Sequence, residues 1–170
     1  YFRLICNKDD EEAFKRIINY PARGIGDKTI QKVKEYAMEH GMSLWDAIAN
    51  PLAGSLDISK GTLAKLQGFV NMIDGFALMA AEKNALEVAR TVLRDSGMSA
   101  EIARDNTVEG KARQENIEEL VNGLQDFTQT HREEDNEHIY LTDYLSEVSL
   151  LTDLDSDEGD DGAKVTIMTI

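Results

Sequence analysis

Apolar residues recur at helical spacing along most of this chain. The clearest case lies in its middle, where intervals of three and four residues separate Leu63, Leu66, Val70, Ile73, Ala77 and Ala80. This spacing lines up one apolar stripe along a helix and predicts a long helix whose stripe faces a core.

The same reasoning predicts six further helices. They fall over residues 9–19, from Ile30 to Ala37, from Ser43 toward Pro51, from Asn84 to about Ser96, around Ile117–Phe127, and from Leu141 to Leu151. Ser43 with Asp46 resembles a capping box and Asn84 is a typical N-cap, while the residue before Pro51 avoids helical geometry. We therefore predict an all-α fold, an irregular multi-helix bundle with short connections.

The two ends of the sequence differ from the middle. Residues 1–8 have the pattern of the end of a helix, and Val165–Ile170 is a β-branched run typical of a strand. Between the last predicted helix and this β-branched run, residues 153–163 form an acidic segment that is typical of a flexible linker. Because a lone strand cannot satisfy its own backbone, we expect a helical segment inserted in a larger α/β protein. A terminal strand that pairs with a second copy is the alternative.

Composition narrows the class of protein. The chain has 170 residues, 42% of them hydrophobic, and a net charge of −14 from 32 acidic and 18 basic residues. Such an acidic chain is a poor general coat for nucleic acid or for an anionic membrane. Cys6 is the single cysteine, so no internal disulfide can form and a reducing compartment is favoured. Without an apolar run of membrane-spanning length, we expect a cytoplasmic protein with no membrane partner.

The charge is distributed unevenly along the chain. Residues 13–36 carry six basic and two acidic side chains, a net +4, whereas residues 131–170 carry two basic and twelve acidic ones, a net −10. The molecule should therefore have one basic end on an acidic body. The acidic body leaves open a second reading, an all-α module that binds another protein.

The basic end contains a glycine hairpin. In the stretch from Pro21 to Thr29, Gly24 and Gly26 flank Ile25, so the backbone can turn tightly and direct N–H groups outward. A helix starts directly afterwards, and its N-terminus adds unpaired donors and partial positive charge. Ile25 would be an inward plug. This arrangement resembles a helix-hairpin-helix that contacts phosphates without reading bases, but taken alone it also fits a purely structural turn.

Other chemistry finds less support in the sequence. Asp153, Asp155 and Asp157 alternate as in a calcium loop, but Glu158 and Lys164 occupy the positions that need glycine and glutamate. His40, His131 and His138 have no metal-like spacing. Gly54–Thr62 contains the letters of a phosphate loop in the wrong order, and no GxxxxGK[ST] motif occurs. We assign no catalytic, cofactor-binding or metal-binding residue.

Several motifs together resemble the superfamily-1 DNA helicases of the UvrD/PcrA/Rep type. They occur in family order, at Tyr1–Asp10, Ala13–Gly26, Arg113–Leu120, Val148–Asp153 and Val165–Ile170. The resemblance implies that residues 1–8 end a helix of the RecA-like domain 2A, residues 9–152 form the helical 2B domain, and residues 164–170 return to domain 2A at the start of motif V. It further implies a parent protein that uses ATP and Mg²⁺, and a fragment that is not catalytic alone.

The resemblance also implies partners and contact residues. The 2B domain would touch double-stranded DNA at a fork or junction, beside the remaining domains of the same chain and possible repair or replication proteins. The DNA contact would fall on Arg23, Gly24, Ile25, Gly26, Lys28, Thr29 and Lys32. A second backbone contact is predicted at the start of the long helix, from Lys60, Thr62 and Lys65. Arg113, Asn116 and Glu119 are expected to serve packing rather than ligand binding.

Overall fold

The protein is described by a computed structural model that covers residues 1–49, 56–134 and 139–157, with side chains through Leu150. Over these residues it contains nine α-helices and no strand. They are α1 (Phe2–Cys6), α2 (Glu11–Ile17), α3 (Asp27–His40), α4 (Leu44–Ala49), α5 (Lys60–Ala80), α6 (Ala85–Asp95), α7 (Met98–Arg104), α8 (Val108–Glu133) and α9 (Leu141–Asp157). The all-α fold class predicted from apolar spacing is confirmed.

The predicted helices are present, with two differences. Helix α7 was not predicted, because Ile102 is its one buried residue and so short a segment shows no apolar period. Helix α9 runs to Asp157, so residues 153–157 of the predicted linker are helical. The rest of that linker and the predicted strand at 164–170 lie outside the described residues.

Side-chain caps set several helix starts where the sequence predicted them. The Asn84 Oδ1 accepts a hydrogen bond from the Glu87 N–H at 3.0 Å, and the Ser43 Oγ accepts one from the Asp46 N–H at 3.1 Å. Each bond satisfies a backbone donor that has no partner inside its own helix. The capping predictions for α4 and α6 are therefore confirmed.

Helix α5 is the centre of the larger core. Its buried face carries Leu66, Val70 and Ile73 as the apolar spacing predicted, and Phe69 widens it. The Phe69 ring meets the Phe14 ring edge-on at 6.0 Å between centroids, which fixes α2 against α5. Helices α1, α4 and α6 pack on the same long helix. The segment that follows α2 is thus anchored beside the larger core.

A smaller core lies between α6 and α8. It contains Ala85, Ala89, Leu124 and Phe127, with Phe2 of α1 packed against both cores. Alanines on α6 allow its backbone to lie close to α8, while its Val88 and Val92 belong to the larger core. Helix α6 therefore joins the two parts of the bundle.

Candidate nucleic-acid interface

The glycine hairpin occupies residues 18–26, between α2 and α3. The Ile25 side chain is fully buried, whereas Gly24 and Gly26 on either side of it are exposed. Ile25 is the inward plug that the sequence predicted. Because one apolar side chain anchors the turn, the backbone on both sides of it stays at the surface.

The side chain of Asn19 determines which hairpin amides point inward. Its Oδ1 accepts hydrogen bonds from the N–H of Arg23 at 2.8 Å and from the N–H of Ile25 at 3.2 Å. The alternate amides, those of Gly24 and Gly26, have no acceptor among the described residues. Asn19 was not among the predicted site residues, although an asparagine that bonds the backbone of a following turn is a known signal.

The start of α3 continues this surface of free donors. Gly26 is the N-cap and offers no side chain, so the amides of Asp27 and Lys28 have no acceptor within the described chain. The next two amides both donate to the Gly26 carbonyl oxygen, at 2.9 and 3.2 Å. Four outward N–H groups and the positive end of the α3 dipole therefore lie together, and such a group of donors binds anions.

The two hairpin glycines differ in backbone conformation and in the space around them. Gly24 has φ +67°, in the left-handed region that favours glycine, and its carbonyl oxygen accepts a hydrogen bond from the Lys65 Nζ at 3.3 Å. Gly26 has φ −84° and ψ 168°, which any residue adopts, and a Cβ there would meet nothing within 4 Å. The fold needs glycine at position 24 but not at position 26.

The Arg23 side chain, which the resemblance placed in the DNA contact, is turned toward acceptors of the protein itself. Its Nη1 donates to the carbonyl oxygens of Ile17 at 2.9 Å and Pro21 at 3.2 Å. Its Nη2 donates to the Tyr1 hydroxyl at 2.5 Å and to the Ser96 carbonyl oxygen at 3.2 Å. Four oxygen acceptors hold the guanidinium because the end of α2, the hairpin, Tyr1 and the end of α6 meet at this point. Arg23 therefore positions the hairpin.

The fold brings together the two residue sets that the sequence placed far apart. A groove of about 540 Å³ runs between the first turns of α3 and the start of α5, and it is lined by Lys28, Thr29, Lys32, Asp57, Ile58, Ser59 and Thr62. The Ser59 Oγ caps α5 by accepting from the Thr62 N–H at 3.1 Å. A second helix N-terminus thus opens onto the groove beside the first.

The four lysines around this groove are in different states. Lys28 and Lys60 are exposed, and the described residues provide no ion-pair or hydrogen-bond partner for either side chain. Lys65 is held against Gly24. Lys32 is paired: its Nζ lies 2.8 Å from the Asp57 Oδ2 and 2.5 Å from the Asp57 carbonyl oxygen. The pairing with Asp57 was not predicted, because Asp57 lies 25 residues from Lys32 along the chain.

Charged side chains of the described residues outside this groove form local ion pairs. Arg113, expected to serve packing, pairs with Asp105 at 3.2 Å between Nη1 and Oδ2. Within the described ranges no three His, Cys, Asp or Glu side chains are grouped so that they could hold a metal ion. Nor does any helix of those ranges have the length and apolar character needed to cross a bilayer.

Comparison with known proteins gives one consistent result. Over residues 1–170 the chain matches the family described as UvrD-like helicase C-terminal domain. It is 31% identical over 170 residues to the ATP-dependent DNA helicase PcrA of Staphylococcus aureus (strain Mu50 / ATCC 700699), an alignment that covers 100% of the chain and 22% of that protein.

Two further similar proteins are also named as DNA helicases. The ATP-dependent DNA helicase PcrA of Leuconostoc citreum is 34% identical over 172 residues, covering 100% of the chain and 23% of that protein. DNA helicase II of Escherichia coli (strain K12) is 33% identical over 150 residues, covering 88% of the chain and 20% of that protein. The chain spans 20–23% of the length of these curated relatives.

Proposed function

Because the chain belongs to the UvrD-like helicase C-terminal domain family, we propose that it is the accessory 2B domain of an ATP-dependent DNA helicase. In this proposal the domain holds double-stranded DNA at a fork or junction by its backbone, without sequence preference. One observation carries the proposal: the outward amides of Gly24, Gly26, Asp27 and Lys28 converge at the start of α3, beside the unpaired Lys28 ammonium.

The contact is proposed to have two parts. The first phosphate lies on the free amides from Gly24 to Lys28, with the Lys28 side chain and Thr29 at its edge. A second phosphate of the same strand lies at the start of α5, where Thr62 lines the same groove, Lys60 is exposed at the first position of the helix, and Lys65 braces Gly24. Ile25 takes part only through its position, because its side chain is buried.

This surface suits backbone recognition rather than base reading. Peptide N–H groups and lysines bind phosphate oxygens, which are alike at every base pair. Affinity should therefore be independent of sequence and should fall steeply as salt rises. The whole chain has a net charge of −14 although its basic segment is positive, so the acidic body repels DNA elsewhere and confines contact to the basic end.

ATP and Mg²⁺ are assigned to the parent protein and not to these residues. The sequence contains no GxxxxGK[ST] loop that could hold the phosphates of ATP. We therefore derive no hydrolytic step from this chain and propose that it is not catalytic by itself. Its part in unwinding would be to hold and orient the duplex.

Gly26→Ala tests the proposed site without disturbing the fold. The added Cβ meets no protein atom within 4 Å, yet it stands beside the free amides that would bind phosphate. Loss of one charge-assisted hydrogen bond corresponds to about tenfold weaker binding. We expect that loss in fluorescence anisotropy with a labelled duplex that ends in a single-stranded tail. Gly75→Ala on α5, also with nothing within 4 Å, is the matched control and should bind as the native protein does.

Lys28→Gln tests the electrostatic part of the contact. If Lys28 touches a phosphate, the slope of log affinity against log salt should become shallower by about 0.9. The proposal fails if the native protein does not bind duplex DNA at low salt, or if Gly26→Ala binds as tightly as the native protein. Retention of a protein partner after nuclease treatment, together with no DNA binding, would instead favour the acidic interaction module.

A further inference from the structure

We propose that Asp57 is an internal competitor for phosphate, and that its ion pair with Lys32 keeps the affinity of the duplex site low. This inference rests on the proposed function and adds a residue that controls the strength of the grip. Its basis is geometric: the Lys32 Nζ contacts both a carboxylate oxygen and the carbonyl oxygen of Asp57, at 2.8 and 2.5 Å, on the wall of the groove that would receive DNA.

The Asp57 carboxylate occupies the position on Lys32 that a phosphate would take, and it is not a buried structural group. Its side chain is 99% exposed, so burial does not hold it, and Lys32 is its one ion-pair partner among the described residues. The hydrogen bond and the charge of Lys32 hold the pKa of the Asp57 carboxyl below its ordinary value. At neutral pH the groove that Lys28 and Thr29 line therefore also contains a full negative charge.

A phosphate that enters the groove has two options. It can bind beside Asp57 and experience repulsion, or it can displace the carboxylate from Lys32. Exposed ion pairs contribute little to stability, so displacement is easy, but the repulsion from Asp57 remains. Either way Lys32 adds less to DNA affinity than its position suggests. A moderated, readily reversed grip suits a surface that must release and rebind the duplex during unwinding.

Asp57→Asn should strengthen DNA binding. Removal of one negative charge at contact distance in water predicts about fivefold tighter binding at low salt. The salt slope should steepen by about 0.9, because Lys32 becomes free to release a counterion to phosphate binding. Both quantities are measured by anisotropy with the tailed duplex, and thermal unfolding should be unchanged because the Asp57 side chain is exposed.

Asp74→Asn is the matched control. Asp74 also pairs with a lysine, Lys8. It lies on α5, the helix that contributes Thr62 to the groove. It is twelve residues beyond Thr62 on that helix, about 18 Å at 1.5 Å per residue. This exceeds the screening length of about 10 Å at 0.1 M salt, so the same change of net charge should leave DNA affinity within about twofold.

A double-mutant cycle assigns the effect to Lys32. We expect Lys32→Gln to weaken binding in both proteins, and to weaken it more in the Asp57→Asn protein, where the Lys32 ammonium is free to contact phosphate. The inference is overturned if Asp57→Asn binds no more tightly than Asp74→Asn, or if Lys32→Gln weakens the Asp57→Asn protein no more than it weakens the native one. If Gly26→Ala weakens binding while Asp57→Asn has no effect, this inference alone fails. If the native protein does not bind the duplex, both proposals fail.

Discussion

Replacement of Asn19 by alanine removes the acceptor that two hairpin amides share. The bond from the Arg23 N–H, at 2.8 Å, lies at the surface, where water can replace Asn19, so its loss should cost about 0.5 kcal/mol. The bond from the Ile25 N–H, at 3.2 Å, is partly buried, and its loss should cost about 1 kcal/mol. We therefore expect Asn19→Ala to lower the free energy of unfolding by about 1.5 kcal/mol.

Urea unfolding followed by circular dichroism measures this loss, and a thermal midpoint lower by about 3–6 °C should accompany it. Asn19→Asp is the matched control, because a carboxylate oxygen can accept both N–H bonds and should retain stability to within about 0.5 kcal/mol. The reasoning is refuted if Asn19→Ala is as stable as the native protein. It is equally refuted if the aspartate variant is destabilised as much as the alanine variant.

Three further changes test the fold that carries the hairpin. Gly110→Ala should cost about 2 kcal/mol in urea unfolding, because the new Cβ would overlap the Asp105 carbonyl oxygen; unchanged stability would contradict this close approach. Phe14→Ala, at a site 1% exposed, should cost about 3–5 kcal/mol in the same assay. Asp10 accepts the Ala13 N–H at 2.9 Å, and this bond first, then Arg3, lowers its pKa from 3.8. Its contribution is therefore present above the ordinary pKa of aspartate and is lost as pH falls through the lower folded pKa, so acid unfolding of Asp10→Asn should lack this component.

Local residues were enough to predict most of the helices and the shape of the hairpin. The stripe that contains Leu66, Val70 and Ile73 predicted α5, and Asn84 marked the start of α6. The burial of Ile25 followed from its place between two exposed glycines. Such features depend on neighbours a few residues away, because a helix period and a cap bond both close within about one turn.

The state of the charged side chains could not be predicted in this way. Arg23 read from the sequence as a basic residue of the hairpin, but its guanidinium bonds Tyr1 and Ser96, which lie 22 and 73 residues away. Lys32 was likewise predicted as a basic DNA contact, but in the folded chain it forms an ion pair with Asp57. The direction of a long side chain depends on which acceptors the packed chain brings within reach.

The sequence by itself determined that this chain is a helical bundle with a glycine hairpin at its basic end. Apolar spacing and turn-forming residues are local properties, which neighbouring positions in the chain define. Only the tertiary structure decided which donors of that hairpin face outward. Asn19 and Ile25 hold part of the backbone inward, Arg23 is bound by distant carbonyls, and α5 approaches to form the second wall of the groove. Apart from the Asn19 bonds, which span four and six residues, these choices depend on contacts between segments far apart in the chain, and such contacts exist only once the helices have packed.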